Sequence, residues 1–200
     1  DGRGRPSPYR RRMIADFHAL TSDIVLRPVT LDDAAAFARA YARNRDHLRP
    51  WEPGRSEAFF TTEGQAARLE DLLALRAAGR VMPWVLAEDG GRGEIVGLVN
   101  LANIVHGAWR STNLGYWVAA EHTGKGLATA AVTAACRDAD QRLGLHRIEA
   151  GTVVANAASQ RVLVKCGFEP IGTARNYLHI DGEWRDHVLY HKILNDRGPA

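Results

Sequence analysis

Apolar and polar positions alternate along "DIVLRPVT" (Asp23–Thr30), the pattern of a half-buried strand. From Leu31 the period becomes that of a helix, which runs to about Leu48 and ends before Pro50. Thr30 is placed to cap it. Asp32 and Asp33 stand in its first turn, where carboxylates meet the positive end of the helix dipole. "RPWEPGR" reads as a loop, and Thr62 with Gln65 fits a capping box for a second helix that ends near Gly79. In "PWVLAEDGGRGEIVGLVNLANIV" two apolar runs flank a glycine-rich turn, which predicts a hairpin. "HGAWR" makes another turn and "STNLGYWVAA" a further strand. A helix spans about Gly124 to Leu143, with Gly144 as its stop. "HRIEAGTVVA" is a strand and "NAASQRVLVKC" a short helix ended by Gly167. "FEPIGTARNYLHI", "DGE" and "WRDHVLYHKIL" form a closing hairpin.

Antiparallel hairpins with a βαβ step among them predict an α+β fold, with a mixed, mostly antiparallel twisted sheet of about seven strands flanked by about four helices. The chain of 200 residues suits one domain, and no repeat interrupts it. No apolar stretch approaches the roughly 20 residues that a membrane helix requires. No apolar run follows the arginine-rich start to make a signal peptide, so a cytoplasmic protein is expected.

Charge changes the picture only at one end. The formal net charge is +3, but residues 1–12, "DGRGRPSPYRRR", hold five Arg and one Asp, or +4, which leaves −1 for residues 13–200. The first twelve residues therefore read as a basic disordered arm or leader, and residues 13–200 as the folded domain. The arm could touch RNA, but the nearly neutral body argues against a dedicated nucleic-acid domain. Cys136 and Cys166 lie in helical stretches and read as reduced core thiols. The eight His residues show no ligand spacing on a shared helix face, so no metal is expected.

"EHTGKGLATAAV" (Glu121–Val132) carries the candidate chemistry. Gly124 and Gly126 lie between a strand and a helix, where glycine permits close backbone approach and the first helical N–H groups have no internal partner. That combination makes an anion site. A nucleotide-binding P-loop would need Gly at Ala119 and Ser or Thr at Gly126. A dinucleotide fingerprint would need Gly at Thr129. Neither motif is present.

"GYWVAAEHTGKGLATAAV", followed by "NAASQRVLVKCGF" and a terminal hairpin, resembles the GNAT acetyltransferase superfamily. "LRPWEP", "HGAWRSTNLGYWV" and "YLHIDGEWRDHVLY" make it similar to the RimJ/RimL branch, the ribosomal-protein alanine N-acetyltransferases, over about residues 23 to 195. The resemblance implies acetyl-CoA as cofactor. Its pyrophosphate would lie on the amides of Thr123, Gly124, Lys125, Gly126, Leu127 and Ala128, with Thr129 in the first turn. The superfamily's phosphate arm begins with Gln or Arg, and Glu121 departs from it. The strand containing Trp117, Val118 and Ala119 would pair with the pantetheine arm, and an N–H near Val118 would serve the thioester oxygen.

Asn156 and Ser159 match the family's Asn-x-x-Ser, and the same residue types also make good helix caps. Many members protonate the departing thiolate with a Tyr whose position is Leu163 here, and the resemblance to RimL-type relatives, which use the Ser instead, implies Ser159 as the acid. Leu178 stands where related enzymes place a Glu proposed as general base. His179, Asp181 and Glu183 are nearby substitutes, and the base is left unassigned. Trp51, Trp109 and Tyr177 are candidates to line an acceptor groove.

Without a strong base the chemistry favours an α-amine over a lysine. With pKa values of about 8 and about 10.4, roughly 300-fold more α-amine is neutral at pH 7, worth about 3.4 kcal/mol. The expected acceptor is a protein N-terminus beginning with alanine or serine, such as that of a ribosomal protein. A small amine, or a catalytically silent acetyl-CoA-binding module, is the alternative.

Overall fold

The computed structural model describes residues 17–88 and 93–198. The basic arm and the tip of the glycine-rich turn lie outside the described residues.

Among the described residues eight strands form one sheet in the order β1-β2-β3-β4-β5-β6-β8-β7. They are β1 (His18–Ala19), β2 (Ile24–Pro28), β3 (Met82–Glu88), β4 (Ile95–Val105), β5 (Ser111–Val118), β6 (Arg147–Val153), β7 (Glu169–Ile180) and β8 (Glu183–Ile193). Only β5 and β6 run parallel. Among the same described residues five α-helices accompany the sheet: α1 (Ala34–Arg43), α2 (Arg45–Leu48), α3 (Thr62–Ala77), α4 (Leu127–Gln141) and α5 (Ala157–Lys165). Strand β1, only two residues long, is the addition to the seven expected.

Five consecutive residues of β3, Pro83–Ala87, are buried. Successive side chains of a strand point to opposite faces, so both faces of the sheet are covered there. Helices α1 and α3 pack together beside β3 and β4, while α4 lies against β4, β5 and α5. Trp84, Phe37, Leu26, Leu86, Ile95 and Leu101 fill the core. The outer strand β7 is mostly exposed.

The helix expected over Leu31–Leu48 is divided. A 3-10 turn, Leu31–Asp33, precedes α1, and Asn44 separates α1 from α2. Asn44 is buried. Its Nδ2 donates to the Ala40 carbonyl at 2.9 Å, and its Oδ1 accepts from Ala120 N–H at 2.9 Å. The break therefore ties this helical segment to the turn leading into the glycine arm. Helix α3 is capped by Thr61 rather than Thr62, because the Thr61 hydroxyl oxygen accepts from Gly64 N–H at 3.0 Å. Gln65 is buried and donates to the Phe59 carbonyl at 2.6 Å, so it takes no part in a capping box.

Candidate active site

Strands β5 and β6 share only three rungs, Ser111↔Arg147, Thr112↔Ile148 and Asn113↔Glu149. Beyond them β5 stays with β4 through Val118, while β6 stays with β8 through Val153. The strands part, and the opening is a cavity of about 710 Å³ bounded by β5, β6, the start of α4, α5 and the Trp51–Pro53 loop.

The β5 edge of this gap is open main chain. Ala119 N–H donates to the Val96 carbonyl at 2.8 Å. Neighbouring residues of a strand turn their main-chain groups to opposite sides, so the N–H of Val118 faces the gap. His47 Nε2 lies 3.2 Å from the Val118 carbonyl oxygen on the same side. The Trp117 indole N–H donates to the Tyr41 hydroxyl at 3.0 Å, holding β5 against α1.

Gly124 and Gly126 have φ of +75° and +79°, a backbone region that other residues rarely enter. A Cβ at either position would meet nothing within 4 Å, so both border open space. Gly126 is the N-cap of α4 and supplies no side-chain cap. The first bond into the helix is Ala130 N–H to the Gly126 carbonyl at 3.0 Å. The N–H groups of Leu127, Ala128 and Thr129 therefore lack acceptors within their helix, and those residues line the cavity. A roomy cradle with unpaired donors at the positive end of a 15-residue helix fits a pyrophosphate.

Across the gap, Asn156 Oδ1 accepts from Ser159 N–H at 3.0 Å, which is the N-cap of α5. Asn156 thus performs the capping role open to it from sequence. Ser159 Oγ lies 2.8 Å from the hydroxyl of Tyr116 on β5. The Tyr116 hydroxyl also reaches the Ser159 carbonyl, at 3.2 Å. Burial pushes the Tyr116 phenol up to about 12, outweighing the opposing effect of its bond to Ser159. It stays a neutral donor across the physiological range. Sequence reasoning took "GYWV" as backbone and missed Tyr116. The signal was strand parity, since Tyr116 lies two residues from Val118 and so shares its face.

The cavity also brings together Trp51, Trp117, Val118, Thr123, Gly124, Gly126 and Thr129. Ala119 is buried, and neither it nor Lys125 lines the cavity. Trp109 does not belong to the groove: it is 59% exposed in the turn before β5, at the opposite end of that strand from Val118. Tyr177 borders the cavity only indirectly, with its ring 5.3 Å from that of His187, which does line it. The substitute bases at the hairpin tip lie outside the large cavity. His179 packs on Trp184, Asp181 pairs with Arg49 at 3.7 Å, and Glu183 pairs with Arg185 at 3.4 Å. Leu163 and Leu178 line the cavity and bring no titratable group to it.

Both cysteines are free and buried, and burial pushes the Cys136 thiol up to about 11. Among the described residues no group of three or more His, Cys, Asp or Glu is placed to hold a metal, and no helix is long and apolar enough to cross a membrane.

A family model described as an acetyltransferase (GNAT) domain matches residues 23–169. The chain is 40% identical over 171 residues to the [ribosomal protein uS5]-alanine N-acetyltransferase of Escherichia coli (strain K12), covering 85% of this chain and 88% of that protein. The solved ribosomal-protein-S5-alanine acetyltransferase of Vibrio fischeri superposes with a TM-score of 0.85 at 36% identity, covering 90% of this chain and 97% of that one. Mycobacterium smegmatis RimJ, solved in complex with CoA-disulfide, gives 0.80 at 39% identity, covering 85% of this chain and 81% of that one. By the family match and the identity to these relatives, this chain belongs to the GNAT family of N-acetyltransferases.

Proposed function

We propose that this enzyme transfers the acetyl group of acetyl-CoA to the α-amine of a protein whose first residue is alanine or serine, with a ribosomal protein as the natural acceptor. The observation that carries the reading is the parting of β5 from β6 between the glycine arm and Ser159. It sets anion-binding amides, a free strand edge and a hydroxyl donor around one cavity. The names of the Escherichia coli and Vibrio fischeri relatives support alanine at the acceptor N-terminus.

Acetyl-CoA, when bound, supplies an activated acetyl thioester. Gly124 to Thr129 would hold its pyrophosphate through main-chain N–H groups, the Thr123 N–H being already given to the Ala120 carbonyl at 3.2 Å, with Gly124 and Gly126 keeping the approach clear. The Val118 N–H would stabilise negative charge on the thioester oxygen. Ser159 would donate its hydroxyl to the departing sulfur. Tyr116, hydrogen-bonded to the Ser159 hydroxyl, would hold that group at the cavity wall. Trp51 would form part of the acceptor wall. The setting is cytoplasmic, where ribosomal proteins are made.

The test is incubation with acetyl-CoA and a panel of alanine- and serine-initiated peptides, lysine peptides and small amines, reading released thiol. Transfer to the α-amine peptides above all others supports the reading. Thiol release with a small amine alone would replace the acceptor, and release with none would indicate a silent binding module.

A further inference from the structure

We infer that Glu52 is the binding site for the acceptor's α-ammonium group and the acceptor of its proton. This deepens the reading above and rests on it.

Glu52 is the only Asp or Glu among the described residues lining the large cavity. It also lines a second cavity of about 160 Å³, with Phe59, Phe60 and Asp181, so Glu52 borders both. The loop that carries it is fixed: Trp51 N–H and Glu52 N–H both donate to the Leu48 carbonyl, at 2.9 and 3.1 Å. The side chain is 23% exposed, and its ion pair with Arg55 spans a loose 3.7 Å. Arg55 is itself engaged over the Phe59 ring, 4.5 Å from its centroid. A carboxylate so placed retains acceptor capacity toward the cavity.

The charged groups facing Glu52 are Arg55 from its own loop and Arg68 from α3. Arg45, Arg49 and Asp181 share the small cavity with it, and His47, Tyr116 and His187 share the large one. Desolvation nevertheless dominates and raises the Glu52 carboxyl above its usual range, against the pull of both arginines. That makes the carboxylate a better base than a solvated one.

The α-ammonium gives one proton to the Glu52 carboxylate, which later returns it to solvent. The neutral amine attacks the thioester carbonyl, a C–N bond forms and the C–S bond breaks with its electron pair on sulfur. The nitrogen's surplus proton is lost to solvent, and the sulfur takes the Ser159 hydroxyl proton, which Ser159 regains from solvent. The products are the N-acetyl peptide, the free thiol and one solvent proton.

The experiment compares the wild type with Glu52→Gln, using acetyl-CoA and an alanine-initiated peptide at pH 7 and pH 9. At pH 7 kcat/KM should fall by about 100- to 10,000-fold, the range of general acid–base catalysis. The gap should narrow at pH 9, where the peptide loses its own proton. Calorimetry should find the variant's CoA affinity unchanged. A readout without turnover uses wild-type enzyme loaded with CoA: the free-amine peptide should bind more tightly than its N-acetylated counterpart. Equal activities at pH 7, an equal loss at both pH values, or equal affinity for the two peptides would each overturn the assignment. Failure of the wider reading looks different, because wild-type enzyme would then acetylate no peptide at either pH, and the Glu52 site would fall with it.

Discussion

The hydroxyls of Tyr116 and Ser159 lie 2.8 Å apart across the gap between β5 and α5. Ser159→Ala removes the hydroxyl and keeps the N–H that Asn156 caps, so the helix end survives. Turnover should drop by about 100- to 10,000-fold, with cofactor affinity preserved. Tyr116→Phe removes the hydroxyl that meets both Ser159 Oγ and the Ser159 carbonyl, and loss of the neutral bond to Oγ should slow the enzyme by about 2- to 13-fold, equivalent to roughly 0.5–1.5 kcal/mol. The double variant should be no slower than Ser159→Ala, since the phenol acts through the serine. Steady-state kinetics on the three proteins decides this, and additive losses would give Tyr116 an independent role.

Asn156→Ala should act first on the fold. It deprives α5 of its cap and should lower stability by about 0.5–2 kcal/mol. Urea unfolding measures that change. An unchanged midpoint with lost turnover would move Asn156 from structure to chemistry.

Gly126→Val should weaken CoA binding. Valine is strained at φ +79°, and its branched side chain would occupy the open space in front of the α4 amides. Calorimetry with CoA should show the loss, while the circular dichroism spectrum retains its helix signal. Equal affinity in a folded variant would remove the arm from the site.

Glu52 should destabilise the fold at neutral pH. A folded-state pKa raised by burial means that the native protein holds this proton more tightly than the unfolded chain. Stability linked to the group is fully present below the unfolded pKa and is lost as pH rises through the folded one. Glu52→Gln carries no such charge, so its Tm should exceed that of the wild type at pH 8, and the excess should shrink toward pH 4. Thermal melts across that window check the sign.

The acceptor preference should follow proton availability. An alanine-initiated peptide should outpace a lysine side chain at pH 7, where the intrinsic difference in neutral amine is about 300-fold. If Glu52 takes the proton, the rate should level off below the peptide's own pKa of about 8. A lysine peptide acetylated faster than any free N-terminus would sink this expectation.

Much of the fold was legible because local pattern and tertiary role agree. The alternation in Ile24–Pro28 and the glycine stop at Gly144 both need only neighbours to be read. The break at Asn44 was hidden because its partner, Ala120, is 76 residues away. Thr61 and Thr62 compete for one cap, and only the fold of the preceding turn chooses between them. In the site, the glycine arm could be read from spacing, while Tyr116 and Glu52 acquire meaning only when β5, α5 and the Trp51 loop converge. Trp109 shows the reverse error: a large aromatic in a recognisable stretch that the topology sends to the other end of its strand.

The three shared rungs of β5 and β6 also mark where the sheet opens. Above them, two strand edges face one another across a slot. Paired strands stand about 4.8 Å apart, and once β5 and β6 part, their main-chain groups are left to bond whatever extended chain lies between them. A carrier whose stem offers amide groups in extended form would find partners along that edge, and one with a featureless stem would not.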